Sequence, residues 1–475
     1  MSTVVGKSSS GEIPRGTLGV GSIVFMVTAA AAPLGAVVAL IPVLFSTSGS
    51  VAAPVYFLIA GAVLMLFAVG FTAMTKYVAN AGAFYSYVRE GLGELPGIGT
   101  AFVAVVAYSA MVGSALAYVG QVAVQLVRRW AGFDTSPWLW AAVFGLVVGL
   151  LGYRNIEIGG RVLGVALVVE ASSVLLVDLA IVVRGRHDGL SLASLSPAAA
   201  TTGAHAPGFG LMLAFLTFTG FEATVVFRGE ARDPDRTVPR ATFLALALIG
   251  ALYAFSGWAT AVGVGTDRVL EVAESDPTGM YLDLAGTYVA PVMRDVLQIL
   301  LVTSYFAGVL SMHNVVARYL RSLGSEAVAP VALAAIHERH RAPSRASLAT
   351  SAITAALLLI FLISGSGPLD VYLWLSWAGT LGILAMMLLT CLAVIVFFRR
   401  GGHDGRIWHT LLAPTAALIA LVGALYVIVR NFSQLVGNGI APAVLLSVVP
   451  IVFALGVIRA LSLRAARADE RSVHH

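Results

Sequence analysis

Charge is what this sequence lacks most. Only 11% of its 475 residues are Asp, Glu, Lys or Arg, against roughly a quarter in ordinary soluble domains. Its 29 basic and 24 acidic residues cannot clothe the surface of two or three soluble domains. A soluble enzyme, a nucleic-acid-binding module, a fibrous protein and a disordered tail are all excluded. Lysine is almost missing, with Lys7 and Lys76 alone. Cysteine is reduced to Cys391, inside an apolar run, so an intrachain disulfide and a Cys metal cluster are both ruled out. No GxGxxG or Walker loop occurs, so ATP cannot drive this chain directly, and no Ser-His-Asp arrangement is readable.

What is present is apolar. Hydrophobic residues make up 59% of the chain and mean hydropathy is +0.91. The expected class is an all-α, polytopic membrane protein whose first partner is the lipid bilayer. The net charge of +5 and pI near 9.4 would suggest nucleic acid in a soluble chain. Here they fit basic cytoplasmic loops facing anionic lipid, and no nucleic-acid partner is expected.

A spanning helix needs about 20 apolar residues. Twelve runs meet or approach that length: 18–45, 52–76, 97–129, 137–153, 158–184, 208–229, 241–265, 293–318, 347–364, 369–398, 408–429 and 440–460. The first is longer than a signal-peptide core and lacks a cleavage pattern, so it is kept as a helix. A polar tail, 1–16, precedes it, and another, 461–475, follows the last. With both termini cytoplasmic in the cell membrane, only seven of the 29 Lys+Arg residues face outward: Arg128, Arg129, Arg184, Arg186, Arg268, Arg294 and Arg430. The inner loops around Arg228 to Arg240 and Arg339 to Arg345 carry most of the bias.

The chain divides into a first block of five spans (17–184), a connecting loop (185–207), a second block of five (208–400), and two accessory spans (401–460). Five is odd, so the second block starts on the opposite side of the membrane. In each block the second span is followed by a long charged segment, 80–96 or 266–291, and then by a long helix. That is the pattern of an inverted repeat, with a site near the bilayer midplane where the first helix of each repeat is broken. Both first helices carry such a break. One reads Ala31-Ala32-Pro33-Leu34-Gly35, the other Phe218-Thr219-Gly220 followed by Glu222. Pro33 removes a helical hydrogen bond, and the glycines loosen the backbone. A plain kink would account for one break; two in corresponding positions favour a site.

Phe218 to Glu222, leading into Gly229-Glu230-Ala231-Arg232-Asp233-Pro234-Asp235-Arg236-Thr237-Val238-Pro239-Arg240, resembles the sixth-helix signature of the amino acid–polyamine–organocation (APC) superfamily. The segment Ser311 to Leu320 and the ending Phe397-Phe398-Arg399-Arg400 are similar to that family too. The resemblance covers about residues 15–400. It implies the LeuT-type fold, a 5+5 inverted repeat plus two helices, and amino acids or related amines as substrates. Many members have a Gly-rich stretch where this chain has Ala31 to Gly35.

Acids inside apolar runs are few: Glu170, Asp178 and Glu222. An intramembrane charge costs at least about 2.5–3.5 kcal/mol, so each is a functional candidate. Glu222 matches the family's sixth-helix acid and reads equally as a proton-coupling group or a structural brace. Asp178 lies about 12 Å beyond Glu170 at helical rise, toward the interface. His313 reads as a packed, hydrogen-bonded residue, and His337-Glu338-Arg339-His340 as a solvated charge run. Tyr108, Phe215 and Phe218 are candidate gating aromatics.

Cofactors are not expected, apart from a coupling ion. Some proton-coupled members of the family place a lysine in the fifth helix, at a position equivalent, by spacing from Asn155, to about Ser173. Without that ammonium two alternatives stand. Thr303 and Ser304 offer hydroxyls for a Na⁺ cage, and Glu170 can carry a proton; the costlier acid favours the proton. The expected function is a proton-coupled secondary transporter. A Na⁺ symporter or exchanger of the same fold, and a membrane nutrient receptor without flux, are the alternatives.

Overall fold

A computed structural model describes residues 18–78, 84–154, 160–185, 189–203, 207–338, 342–401, 404–436 and 441–473. The tail 1–16, Asn155, Arg186, Arg339 and His340 lie outside the described residues. Among the described residues every regular element is helical. Hydrocarbon offers no partner to a backbone N–H or C=O, so each apolar run must satisfy its own ladder. Proline opens several helices, at Pro33, Pro54, Pro137, Pro234, Pro291 and Pro368, where its missing N–H is free of cost.

Among the described residues ten helices are long and apolar enough to cross a membrane, and the pair Val20–Thr28 and Pro33–Ser48, bent by 42°, makes an eleventh. The shorter apolar helix Pro137–Tyr153 stands where the fourth run was expected. We number these twelve as spans in chain order. The third (Glu94–Ala131), eighth (Pro291–Ser325) and tenth (Pro368–Gly401) outrun their apolar stretches at both ends. The twelfth continues from Ala441 through Val473, so the polar stretch after Arg459 is helical rather than irregular.

The third span is the axis of the molecule: 78% of its apolar window is buried, against 11% for the twelfth. It packs on the eighth and tenth, while the second (Ala53–Met74) packs on the seventh (Pro234–Val264) and the fourth on the ninth (Ser344–Ile363). Second with seventh, third with eighth and fourth with ninth are counterparts in two five-helix blocks. The linking segments repeat the relation. Helix Phe84–Leu92 lies on the third and tenth spans, and helix Met280–Tyr288 lies on the eighth and fifth (Gly160–Arg184). These are again counterparts, at opposite ends of the bundle.

The seat of helix Phe84–Leu92 is tight. Gly91 sits so close to the tenth span that a Cβ would overlap the carbonyl oxygen of Ala393. Backbone cannot yield as a side-chain tip can. Gly91→Ala should therefore lower stability by about 1–3 kcal/mol, read as a fall in the melting temperature of purified protein. Gly423→Ala, with nothing within 4 Å of the added methyl, should stay within about 0.5 kcal/mol.

Candidate functional site

The first span breaks at Ala32, which takes φ +45°, a region that L-residues other than glycine rarely enter. Packing holds it there: Leu34 and Ala36 to Ala39 are all buried. The Ala31 carbonyl just before the break accepts a hydrogen bond from the Tyr253 hydroxyl at 3.3 Å. The helix resumes at Pro33 and runs through a π turn, Ala36–Leu40. Gly35 faces Tyr305 so closely that a Cβ would lie 3.1 Å from its ring.

The sixth span is α-helical over Gly208–Thr217 and 3₁₀ over Phe221–Glu230. Between them Gly220 takes φ +108°, which glycine alone adopts readily. Glu222 folds back on this break. Its Oε2 accepts the Gly220 N–H at 2.9 Å, and its Oε1 accepts the Tyr108 hydroxyl of the third span at 2.7 Å. The far ends of the two broken spans are tied, since the Arg232 N–H donates to the Leu18 carbonyl at 2.9 Å.

Two cavities meet at the breaks. The first, about 110 Å³, is lined by Ala31, Ala32 and Gly35 from the first span, Thr219 from the sixth and Ser304 from the eighth. The second, about 90 Å³, holds Tyr108, Gly220 and Glu222. Thr219, Gly308 and Met312 belong to both walls. The Thr219 hydroxyl is buried and has no hydrogen-bond partner, a costly condition that a bound polar group would relieve. Tyrosines cluster beside each cavity. On one side Tyr118 lies 4.7 Å from Tyr305 and 4.6 Å from Tyr372 between ring centroids. On the other, Tyr319 lies 6.0 Å from Tyr108 and 5.6 Å from Tyr85. Beyond it Arg89 pairs with Glu326 at 2.8 Å.

Several expected residues take other places. Pro33 and Leu34 are buried and shape the break without lining either cavity. Phe218 does not line the site: its ring tip fits between Gly61 and Gly250, and its ring lies edge-on to Tyr253 at 5.9 Å. Phe215 is also core. Thr303 is exposed and bonds the Leu300 carbonyl, so it cannot join Ser304 in one cage; adjacent helical residues point about 100° apart. Ser304 donates instead to Glu170 Oε2 at 2.9 Å, which sets that acid directly behind the first cavity's wall. Ser173, one turn along, is buried. Asp178, expected toward the interface, is covered by protein there. It is fully buried, accepting from the Ser256 hydroxyl at 2.5 Å and the Tyr281 hydroxyl at 2.8 Å, because helix Met280–Tyr288 covers that end of the fifth span. His313 is packed as expected, its ring nitrogen 2.9 Å from the Ser347 hydroxyl.

The structure adds Met111, Ser114, Tyr305, Met312, Tyr372 and Ser376 to the first cavity. Ser114, on the third span, and Ser376, on the tenth, bond each other at 2.6 Å. Paired hydroxyls on helices 262 residues apart in sequence leave no local signal. Their long parent helices did point to the scaffold.

Two broken spans facing one buried cavity, in an inverted pair of five-helix blocks, define a multi-pass membrane protein of the secondary-transporter architecture. The chain belongs to the amino acid permease family, whose profile matches residues 22–471. It is similar to an uncharacterised transporter of Mycobacterium tuberculosis, with 29% identity over 63% of each chain. It also resembles the lysine-specific permease LysP of Escherichia coli, with 27% identity over 60% of each chain. The branched-chain amino acid permease BcaP of Lactococcus lactis is 23% identical over 78% of this chain and 80% of its own. The matched region spans less than two thirds of the mycobacterial and E. coli relatives.

Tyr108 and Glu222 act as a unit, which a mutant cycle can measure. Tyr108→Phe should cost about 1–3 kcal/mol of stability by leaving a buried oxygen unpaired. Glu222→Ala orphans two donors and should cost more. Their coupling energy in thermal or chemical unfolding should be about 0.5–3 kcal/mol; zero coupling would separate the two residues.

Proposed function

We propose that this protein is a secondary transporter carrying amino acids across the cell membrane by alternating access, with protons as the coupling ion and both termini cytoplasmic. The observation that carries this reading is the buried first cavity, set where the first and sixth spans are both broken. The relatives' names, a lysine permease and a branched-chain amino acid permease, support amino acids as the substrate class.

At this site the chemistry of an α-amino acid is matched end to end. The segment beginning at Pro33 presents Gly35 to the cavity, whose N–H is among the first of the helix and has no partner within it; with the helix dipole it suits a carboxylate. The carbonyl end of Val20–Ala30 suits an ammonium, and Thr219 Oγ1 gives one hydroxyl to either. No cofactor is needed. The tyrosines beside each cavity are the gates. The Leu18–Arg232 bond makes the inner halves of the first and sixth spans swing as one body, and the Tyr108–Glu222 bond latches that body to the third span. Substituting Gly220→Val should abolish uptake into proteoliposomes in protein that still folds, because a β-branched residue resists φ +108° and fills the break. Wild-type flux would remove Gly220 from the site.

Glu170 supports the proton. It touches the cavity wall through Ser304, and its one hydrogen-bond partner among the described residues is a hydroxyl, so it can exchange a proton without breaking an ion pair. Sodium remains the second reading, favoured by Ser304 alone of the expected hydroxyl pair. An imposed inward pH gradient should drive accumulation in the absence of Na⁺. Glu170→Gln should lose that response yet keep substrate exchange. Accumulation driven by a Na⁺ gradient at constant pH would overturn the proton. Binding without any flux would favour a receptor.

A further inference from the structure

The walls of the first cavity sort its substrates by charge. Among the described residues their only ionisable side chains are Tyr305 and Tyr372. The polar groups are mostly engaged with one another. Ser114 bonds Ser376 and the Tyr372 carbonyl, at 2.6 and 2.8 Å. Thr217 bonds the Ala214 carbonyl at 2.7 Å, and Ser304 bonds Glu170. The hydroxyls of Tyr305 and Tyr372 lie 3.4 Å apart. That leaves Thr219 Oγ1, without a partner, and the broken backbone beside it as the groups free to recognise a polar substrate. All are used by the ammonium and carboxylate of one amino acid. The rest of the wall is Leu40, Met111, Ala115, Leu216, Gly308, Val309 and Met312.

A third charge on the substrate would have no partner. The wall contains no Lys or Arg to meet an acidic side chain. For a basic one, the two nearest carboxylates both lie off this wall. Glu222 lines the second cavity, with each oxygen already accepting a hydrogen bond, and Glu170 sits behind Ser304. Burying an unpaired ammonium or guanidinium against methionine and valine costs more than its contacts return. Size narrows the class further. A cavity of about 110 Å³ holds roughly seven to eleven groups the size of a water molecule, enough for an aliphatic amino acid and too few for tryptophan. Methionine walls adapt to branched or unbranched chains.

We infer that the first cavity selects α-amino acids with neutral aliphatic side chains, such as leucine, valine or methionine, and rejects basic and acidic ones. This rests on the transport reading above for its flux but not for its binding, so two measurements separate them. The first is thermal unfolding of the purified full-length protein with leucine, valine, methionine, lysine, arginine or glutamate added. The second is uptake of labelled leucine into proteoliposomes, with the same six as unlabelled competitors. The expected result is a raised melting temperature and effective competition by the three neutral amino acids. The three charged ones should compete about a hundredfold or more weakly, as an unpaired charge at membrane depth requires. Met111→Leu should keep that pattern, and Met111→Glu should lose leucine competition.

Lysine, arginine or glutamate competing as well as leucine would overturn the inference and leave transport standing. Neutral amino acids that raise the melting temperature without uptake would support the cavity's selectivity and sink the transport reading. No effect of any of the six in either measurement would overturn both.

Discussion

A polar backbone group in hydrocarbon must find a partner within the protein. Everything distinctive about this molecule follows from breaking that ladder twice. The Ala31 carbonyl is met by Tyr253 of the seventh span and the Gly220 N–H by Glu222 of the sixth span itself, so each break is repaired by a side chain. Two polar side chains serve these repairs, and the broken backbone beside them borders a small cavity. Without them the first and sixth spans would be ordinary helices with nothing to offer a zwitterion.

The breaks also need a rigid surround. The third span supplies it, packing on the eighth and tenth, and carrying Tyr108 toward one cavity and Tyr118 toward the tyrosines of the other. The short helices Phe84–Leu92 and Met280–Tyr288 brace opposite ends on counterpart spans. Mirrored supports at opposite ends are what a site opened alternately to two sides requires. The tie between Leu18 and Arg232 couples the inner halves of the two broken spans, so motion at one break reaches the other through backbone.

The three acids inside apolar runs share one treatment. Glu222 is met by a tyrosine hydroxyl and an amide, Glu170 by a serine, Asp178 by a serine and a tyrosine. Hydroxyl and amide donors stabilise a carboxyl group without committing it to an ion pair, and a tyrosine or serine hydroxyl can reverse its bond when the acid takes up a proton. Asp178 lies beneath the helix that braces one end of the bundle, a position that couples that helix to the fifth span.

Composition and periodicity determined the class, the twelve runs, the two blocks of five and the positions of both breaks. Those features depend on local quantities: apolar length, charge placement, and Pro33 and Gly220 within apolar helices. The resemblance carried by Phe218 to Arg240 pointed to the permease family before any coordinates. Tertiary packing alone decided which side chains turn toward the breaks. Phe218 adjoins Gly220 in sequence yet fills a seam between Gly61 and Gly250, since a helix points neighbours about 100° apart. For the same reason Thr303 faces outward while Ser304 faces the cavity. The depth of Asp178 along the fifth span is legible in sequence, whereas its cover by a distant helix is not. The cavity's chemistry is likewise a property of the assembled bundle. Met111, Ser114, Thr219, Ser304 and Ser376 come from four spans, and only their meeting leaves one free hydroxyl and an otherwise apolar wall.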